Sequence, residues 1–100
     1  MKTRQIQTTQ KRLRELQRQM KQTGLLMRGS VVVIGTRNKQ PYLSLNQNGK
    51  TRLIYLGKQR EKIAKTYVSN YKKLLQLVDQ MTALNMRLLK NNATFKVAFK

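Results

Sequence analysis

Cysteine, histidine and tryptophan are absent from this chain of 100 residues, and its only acidic residues are Glu15, Glu61 and Asp79. Without thiol or imidazole groups, the chain has no disulfide, no zinc ligand of the usual kind and no general base that titrates near neutral pH. The three carboxylates lie in separate helical contexts, whereas two-metal phosphate chemistry needs several that converge. The composition alone leaves a lysine–serine dyad open. On balance we expect a protein that is not an enzyme and that uses no cofactor and no metal.

Long apolar runs are missing as well. The longest purely aliphatic stretch is Val31-Val32-Val33-Ile34, whereas a membrane-spanning helix needs about 20 apolar residues. The basic N-terminal residues lead into no apolar signal segment. We therefore expect a soluble, cytoplasmic protein with no membrane partner.

Positive charge is what the chain has in excess: 22 lysine and arginine residues give it a formal net charge of +19. Such an imbalance destabilises a compact domain through self-repulsion unless a polyanion neutralises it. Nucleic acids are suitable polyanions, because their phosphates bind lysine and arginine while condensed counterions are released. Hydrophobic residues make up 39% of the chain, which distinguishes it from a disordered basic tail. The charge therefore predicts a folded nucleic-acid-binding protein.

Hydrophobic periodicity predicts one α+β module over residues 1–91. Its predicted elements are a helix at 3–23, an antiparallel three-stranded meander at 30–36, 41–47 and 50–56, and a long C-terminal helix at 58–91. Residues 92–100 alternate too briefly to assign and are either a tail or a short strand. Both helices carry heptad-like apolar stripes, so we expect them to pair as an antiparallel coiled coil.

A two-residue hairpin is predicted at Asn48-Gly49, because both residues of such a turn must accept positive φ. The resulting register pairs Tyr42 with Tyr55 and Leu43 with Ile54. The face that carries Leu43 and Ile54, with Leu45 and Leu56, is the candidate core face. The face that carries the tyrosines is mixed and is a candidate working surface.

Apolar residues of the long helix extend beyond one seam. These additional residues are Leu75, Leu77, Leu84 and Met86. A surplus of this kind favours a further contact, either with a second copy of the chain or with another protein, through the C-terminal helix.

Basic residues cluster on the helix sides opposite the apolar stripes, where an ordinary solvated face would mix both signs of charge. The predicted nucleic-acid-binding residues on the helices are Arg4, Lys11, Arg14, Arg18, Lys21, Lys58, Lys62, Lys65, Lys72 and Lys73. Those on the turns and strands are Arg37, Lys39, Lys50, Arg52, Tyr42 and Tyr55. The two tyrosines could stack bases, or they could form a cross-strand aromatic pair covered by a helix.

Several motifs between Arg28 and Asn85 follow a recognisable order. They are Arg28-Gly29-Ser30, Pro41-Tyr42-Leu43-Ser44, Asn48-Gly49-Lys50-Thr51-Arg52, Asn70-Tyr71 and Leu84-Asn85. This pattern resembles a family of small, largely uncharacterised prokaryotic proteins often found near transposase genes. Many members carry a Cys-rich loop between the first two strands, where this chain has the short turn 37–40, so no metal function carries over. The resemblance implies a nucleic-acid-handling accessory factor of a mobile element and places DNA ahead of RNA.

Two other functions fit the same composition. One is a ribosomal-protein-like or ribonucleoprotein subunit that binds structured RNA in the prokaryotic cytoplasm. The other is a coiled-coil interaction subunit whose basic surface contacts an acidic protein. Binding to nucleic acid weakens steeply with salt, so the salt dependence of binding distinguishes nucleic-acid binding from the coiled-coil alternative.

Overall fold

The computed structural model describes residues 3–91, which form an α+β fold of two helices and three strands. In chain order these are α1 (Thr3–Lys21), β1 (Ser30–Ile34), β2 (Gln40–Gln47), β3 (Lys50–Tyr55) and α2 (Gly57–Lys90). The sequence-based prediction of fold class and element order is confirmed, with boundaries that move by one or two residues. The prediction for residues 92–100 lies outside the described residues.

The sheet is an antiparallel meander of order β1-β2-β3. Its second hairpin has the predicted register, with Tyr42 opposite Tyr55 and Leu43 opposite Ile54. Asn48 and Gly49 take φ values of 54° and 75°, as a two-residue turn between twisted strands requires. The local Asn-Gly signal therefore fixes which side chains share a face.

Strand β1 is shorter than predicted and ends at Ile34 instead of at position 36. Gly35 adopts a φ of 131°, and a Cβ atom at this position would overlap the backbone carbonyl of Asn38. The chain therefore turns away from the sheet at Gly35, because only glycine accepts both the dihedral angle and the close approach.

The chain divides into two compact units. One is Gly24–Lys73, which contains the sheet and the first part of α2, and the other combines Met1–Thr23 with Leu74–Lys100. Helix α2 thus contributes to both. Neither helix in the described part of the chain combines the length and the apolar content needed to cross a bilayer.

The core of the sheet unit lies between β1, β2 and α2. Its buried residues are Leu43, Leu56, Ala64 and Val68, with Met27 and Val31 packed against them. The segment before β1 is held to α2 by two hydrogen bonds: the Met27 amide donates to the Tyr67 carbonyl at 3.3 Å, and Asn70 Nδ2 donates to the Leu25 carbonyl at 2.8 Å.

The expected core face of the hairpin is only partly buried. Leu43 is buried and Leu45 is half-buried, but Ile54 is 53% exposed. Every residue of β3 is exposed, because the buried residues of α2 pack with Val31 and Leu43 of the other two strands. The prediction that Ile54 belongs to the core is therefore wrong.

In the other unit, α1 and the second part of α2 run antiparallel. Arg12 Nη2 donates to Gln80 Oε1 at 3.2 Å, and Arg4, near the start of α1, lines one groove together with Arg87, near the end of α2. Leu13, Leu16 and Leu88 are fully buried. The predicted antiparallel pairing of the helices is confirmed.

Candidate nucleic-acid interface

One face of α1 carries a row of five basic residues. The row consists of Arg4, Lys11, Arg14, Arg18 and Lys21, all exposed. At about 100° per residue, these positions fall within a sector of about 100° on the side opposite the buried Leu13 and Leu16. The row extends over about 26 Å of helix. The structure thus places all five predicted residues of this helix on one accessible surface.

Glu15 lies beside this row and forms an ion pair with Arg18. Arg18 Nε donates to Glu15 Oε2 at 3.0 Å, and Gln19 Nε2 donates to Glu15 Oε1 at 3.2 Å. These hydrogen bonds lower the pKa of Glu15 from 4.5 to about 2, and the bond from Arg18 has the larger effect. The carboxylate stays ionised under any physiological condition and neutralises one cation of the row.

A groove of about 540 Å³ runs along the same part of α1. Its lining residues are Thr8, Lys11, Arg12, Arg14, Glu15 and Arg18. Four of these six side chains are cationic, so the groove attracts anions in spite of Glu15. Sequence reasoning missed Arg12, because its helical position lies between the basic row and the buried stripe.

A second basic row follows the first part of α2. It consists of Lys58, Lys62, Lys65, Lys72 and Lys73, all exposed. Lys58, Lys65 and Lys72 are seven residues apart, so they lie almost in line over about 21 Å of helix. Ala64 and Val68, which pack in the core of the sheet unit, lie beside this row on the helix. All five predicted residues of this helix therefore share one side of it.

Lys65 and Lys72 also line a groove of about 300 Å³ between α2 and β1. Ser30 and Ser69 line the same groove, with Val31 and Val68 as its apolar lining. Lysine ammonium groups and serine hydroxyl groups are donors that commonly contact phosphate oxygens. The groove has the chemistry of a phosphate-binding site.

The two serines of this groove were not predicted. Ser69 has a sequence signal, because it is four residues after Lys65 and three before Lys72 and so shares their helix face. Ser30 has none, since its position depends on how β1 packs against α2. Lys65 is partly neutralised by Glu61, whose carboxylate lies 3.2 Å from Lys65 Nζ.

Ion pairs with carboxylates are scarce throughout the described chain. Among residues 3–91, the structure contains only the pairs Arg18–Glu15 and Lys65–Glu61. The remaining cations of both rows have no acidic side chain to neutralise them. Their charge is therefore available to an external anion.

The basic residues of the two turns do not meet. Arg37 and Lys39 lie at the turn before β2, whereas Lys50 follows the turn after it. The eight residues of β2 hold these turns about 24 Å apart. Lys50 and Arg52 lie on the face of the sheet that carries Leu43, since side chains alternate along a strand.

Tyr42 and Tyr55 form an edge-to-face pair on the opposite face of the sheet. Their ring centroids are 5.5 Å apart, and their planes meet at 67°. Tyr55 Oη donates to Gln40 Oε1 at 3.1 Å. The strand positions on this face carry no charged residue in β1, β2 or β3. The structure thus brings the tyrosines together with each other and separates them from the cations of the sheet.

Comparison with protein-family models, with curated proteins and with solved structures gives no match to this chain. The resemblance to proteins found near transposase genes therefore stays a prediction.

Proposed function

We propose that this chain is a non-catalytic nucleic-acid-binding accessory protein that holds the phosphate backbone of DNA or RNA within a nucleoprotein complex. The observation that carries the proposal is the lysine row of α2 beside a groove lined by two lysines and two serines. The predicted association with a mobile element places DNA ahead of RNA.

The distribution of charge favours binding to the phosphate backbone of a nucleic acid over recognition of its base edges. Half of the 22 basic residues and one of the three acidic residues lie in Gly24–Lys73. Lysines arranged along a helix match a line of phosphates, and such contacts fix position without carrying sequence information. The uncharged tyrosine face of the sheet contributes no cation to base edges. We therefore expect binding that is strong at low salt and tolerant of sequence.

The groove is tested by replacing its two lysines together. In the variant Lys65→Gln/Lys72→Gln, the slope of log K against log salt should become less steep by about two, because two phosphate contacts are lost. Affinity for a short DNA duplex should fall at least about tenfold, since each lost charge-assisted hydrogen bond stabilises a complex by more than 1 kcal/mol.

A matched control is Arg28→Gln/Arg60→Gln, which removes the same charge from the same unit. Both arginines are exposed and outside the lysine row, and Arg60 bonds to the Leu56 carbonyl, one turn before it. We expect the slope to change by less than one in this control. An equal loss in both variants would contradict a localised site. A clear preference for structured RNA over duplex DNA of the same length would favour the ribonucleoprotein alternative.

A further inference from the structure

Residues 74–86 of α2 are the longest stretch of the chain without a basic residue. Their only charged residue is Asp79. In a chain of net charge +19, this stretch is unsuited to a polyanion. Depletion of charge together with exposed methionine and aliphatic side chains is typical of the centre of a protein–protein interface.

Four large apolar side chains from Leu75 to Leu89 are exposed to solvent. Their exposed fractions are 44% for Leu75, 41% for Val78, 65% for Met86 and 63% for Leu89. Together with Thr82 they occupy one sector of the helix, which we call the α2 stripe. The Thr82 hydroxyl donates to the Val78 carbonyl at 2.8 Å, so the polar group at the centre of the stripe is already satisfied. Leu77 and Leu88, which are buried, lie on another side of the helix.

The spacing of the α2 stripe is symmetric about Thr82. Leu75 and Leu89 lie seven residues on either side of it, and Val78 and Met86 lie four residues on either side. Two copies of α2 that cross antiparallel on a two-fold axis at Thr82 would therefore place leucine against leucine and valine against methionine. In an isologous interface the same patch of both copies is in contact, as it is in this crossing.

The charges agree with the same arrangement. In the antiparallel crossing, Asp79 lies at the level of Asn85 of the second copy, on the opposite flank of the contact. Lys90 and Arg87 lie at the levels of Leu74 and Leu77 of the second copy. No cation therefore opposes a cation, although two copies of this chain repel each other over most of their surface.

We propose that a second copy of this chain packs against the α2 stripe to form an antiparallel α2–α2 dimer. The contact is short, so a dissociation constant in roughly the micromolar range is expected for an interface at the small end of the specific classes. The dimer does not depend on nucleic acid and goes beyond the proposed function.

The stripe is tested on nuclease-treated protein by sedimentation velocity over a concentration series. The measurement is made at about 0.3 M salt, where the repulsion between exposed charges is screened. We expect the wild-type chain to form dimers and Met86→Lys to remain monomeric, because the new cation would face Val78 of the second copy. The matched control is Ile63→Lys, an exposed apolar residue of α2 outside the stripe, which should dimerise as the wild type does. A monomeric wild type, or an unaffected Met86→Lys, would overturn the proposal.

The antiparallel direction is tested by cross-linking, since the chain has no cysteine of its own. A mixture of Val78→Cys and Met86→Cys chains should form a disulfide between the two variants on mild oxidation, whereas each variant alone should cross-link poorly. The opposite pattern, with each variant cross-linking to itself, would indicate a parallel contact and contradict the proposed arrangement. Capture of a different protein by a wild-type chain that stays monomeric would overturn the dimer and indicate a heterologous partner instead.

Discussion

Glu15 is the residue whose ionisation the structure perturbs most clearly. Its carboxylate accepts hydrogen bonds from Arg18 and Gln19, which hold its pKa at about 2. The same interaction raises the pKa of Arg18. Glu15 thus stabilises α1 locally and at the same time withdraws one cation from the basic row.

The stabilisation by Glu15 should disappear in acid. Because its folded-state pKa lies below the ordinary value of 4.5, the ionised carboxylate stabilises the folded chain above pH 4.5, and this contribution is lost as the pH falls towards 2. The difference in Tm between the wild type and Glu15→Gln, followed by circular dichroism, should be constant near neutral pH and vanish near pH 2. A difference that does not change with pH would contradict the assignment.

At the scale of single elements, the glycines of the two hairpin turns are under different structural constraints. Gly49 has a φ of 75°, and a Cβ atom added there would meet no other atom within 4 Å. Gly35 has a φ of 131° and lies against the Asn38 carbonyl. Both need positive φ, but only Gly35 also needs the space that a side chain would fill.

Alanine at these two glycines should therefore have unequal effects. Gly49→Ala should lower the free energy of unfolding by about 1 kcal/mol, the cost of a left-handed alanine. Gly35→Ala should lower it by about 3 kcal/mol, near the upper end for a strained backbone position. Urea unfolding of the two variants measures both values, and equal losses would show that the close approach at Gly35 has no energetic consequence.

Local signals predicted the elements well and their packing less well. Asn48-Gly49 specified the hairpin register, and the helical periods placed both basic rows correctly. The position of Ile54 could not be predicted, because which strands α2 covers depends on tertiary packing. For the same reason, the groove that joins Ser30 to Lys65 and Lys72 was not visible in the sequence. The sequence predicted the exposed α2 stripe only as apolar residues of the long helix in excess of one seam.

Across the whole molecule, charge opposes folding. Only two carboxylate ion pairs offset the cations of residues 3–91, so the folded chain concentrates repulsion that the unfolded chain can relieve. Any condition that screens or neutralises these cations should stabilise the protein.

Salt should consequently raise the thermal stability of this protein. Increasing the ionic strength from about 0.01 M to about 1 M shortens the Debye length from about 30 Å to about 3 Å. We expect the Tm to rise over this range. Sodium chloride should raise it as well as sulfate does, because charge screening does not require a kosmotropic salt. A Tm that rises only with sulfate would indicate a solvent effect on apolar burial instead of relief of charge repulsion.

The most direct test of backbone binding is the affinity of the wild-type chain for a short DNA duplex and for a structured RNA as a function of salt concentration. The five lysines of the α2 row alone predict a log–log slope of about −4.5 for duplex DNA, and the α1 row would make it steeper. A linear dependence at least this steep is the expected result. Affinity that does not change with salt, or the absence of binding to either nucleic acid at low salt, would contradict the proposed function.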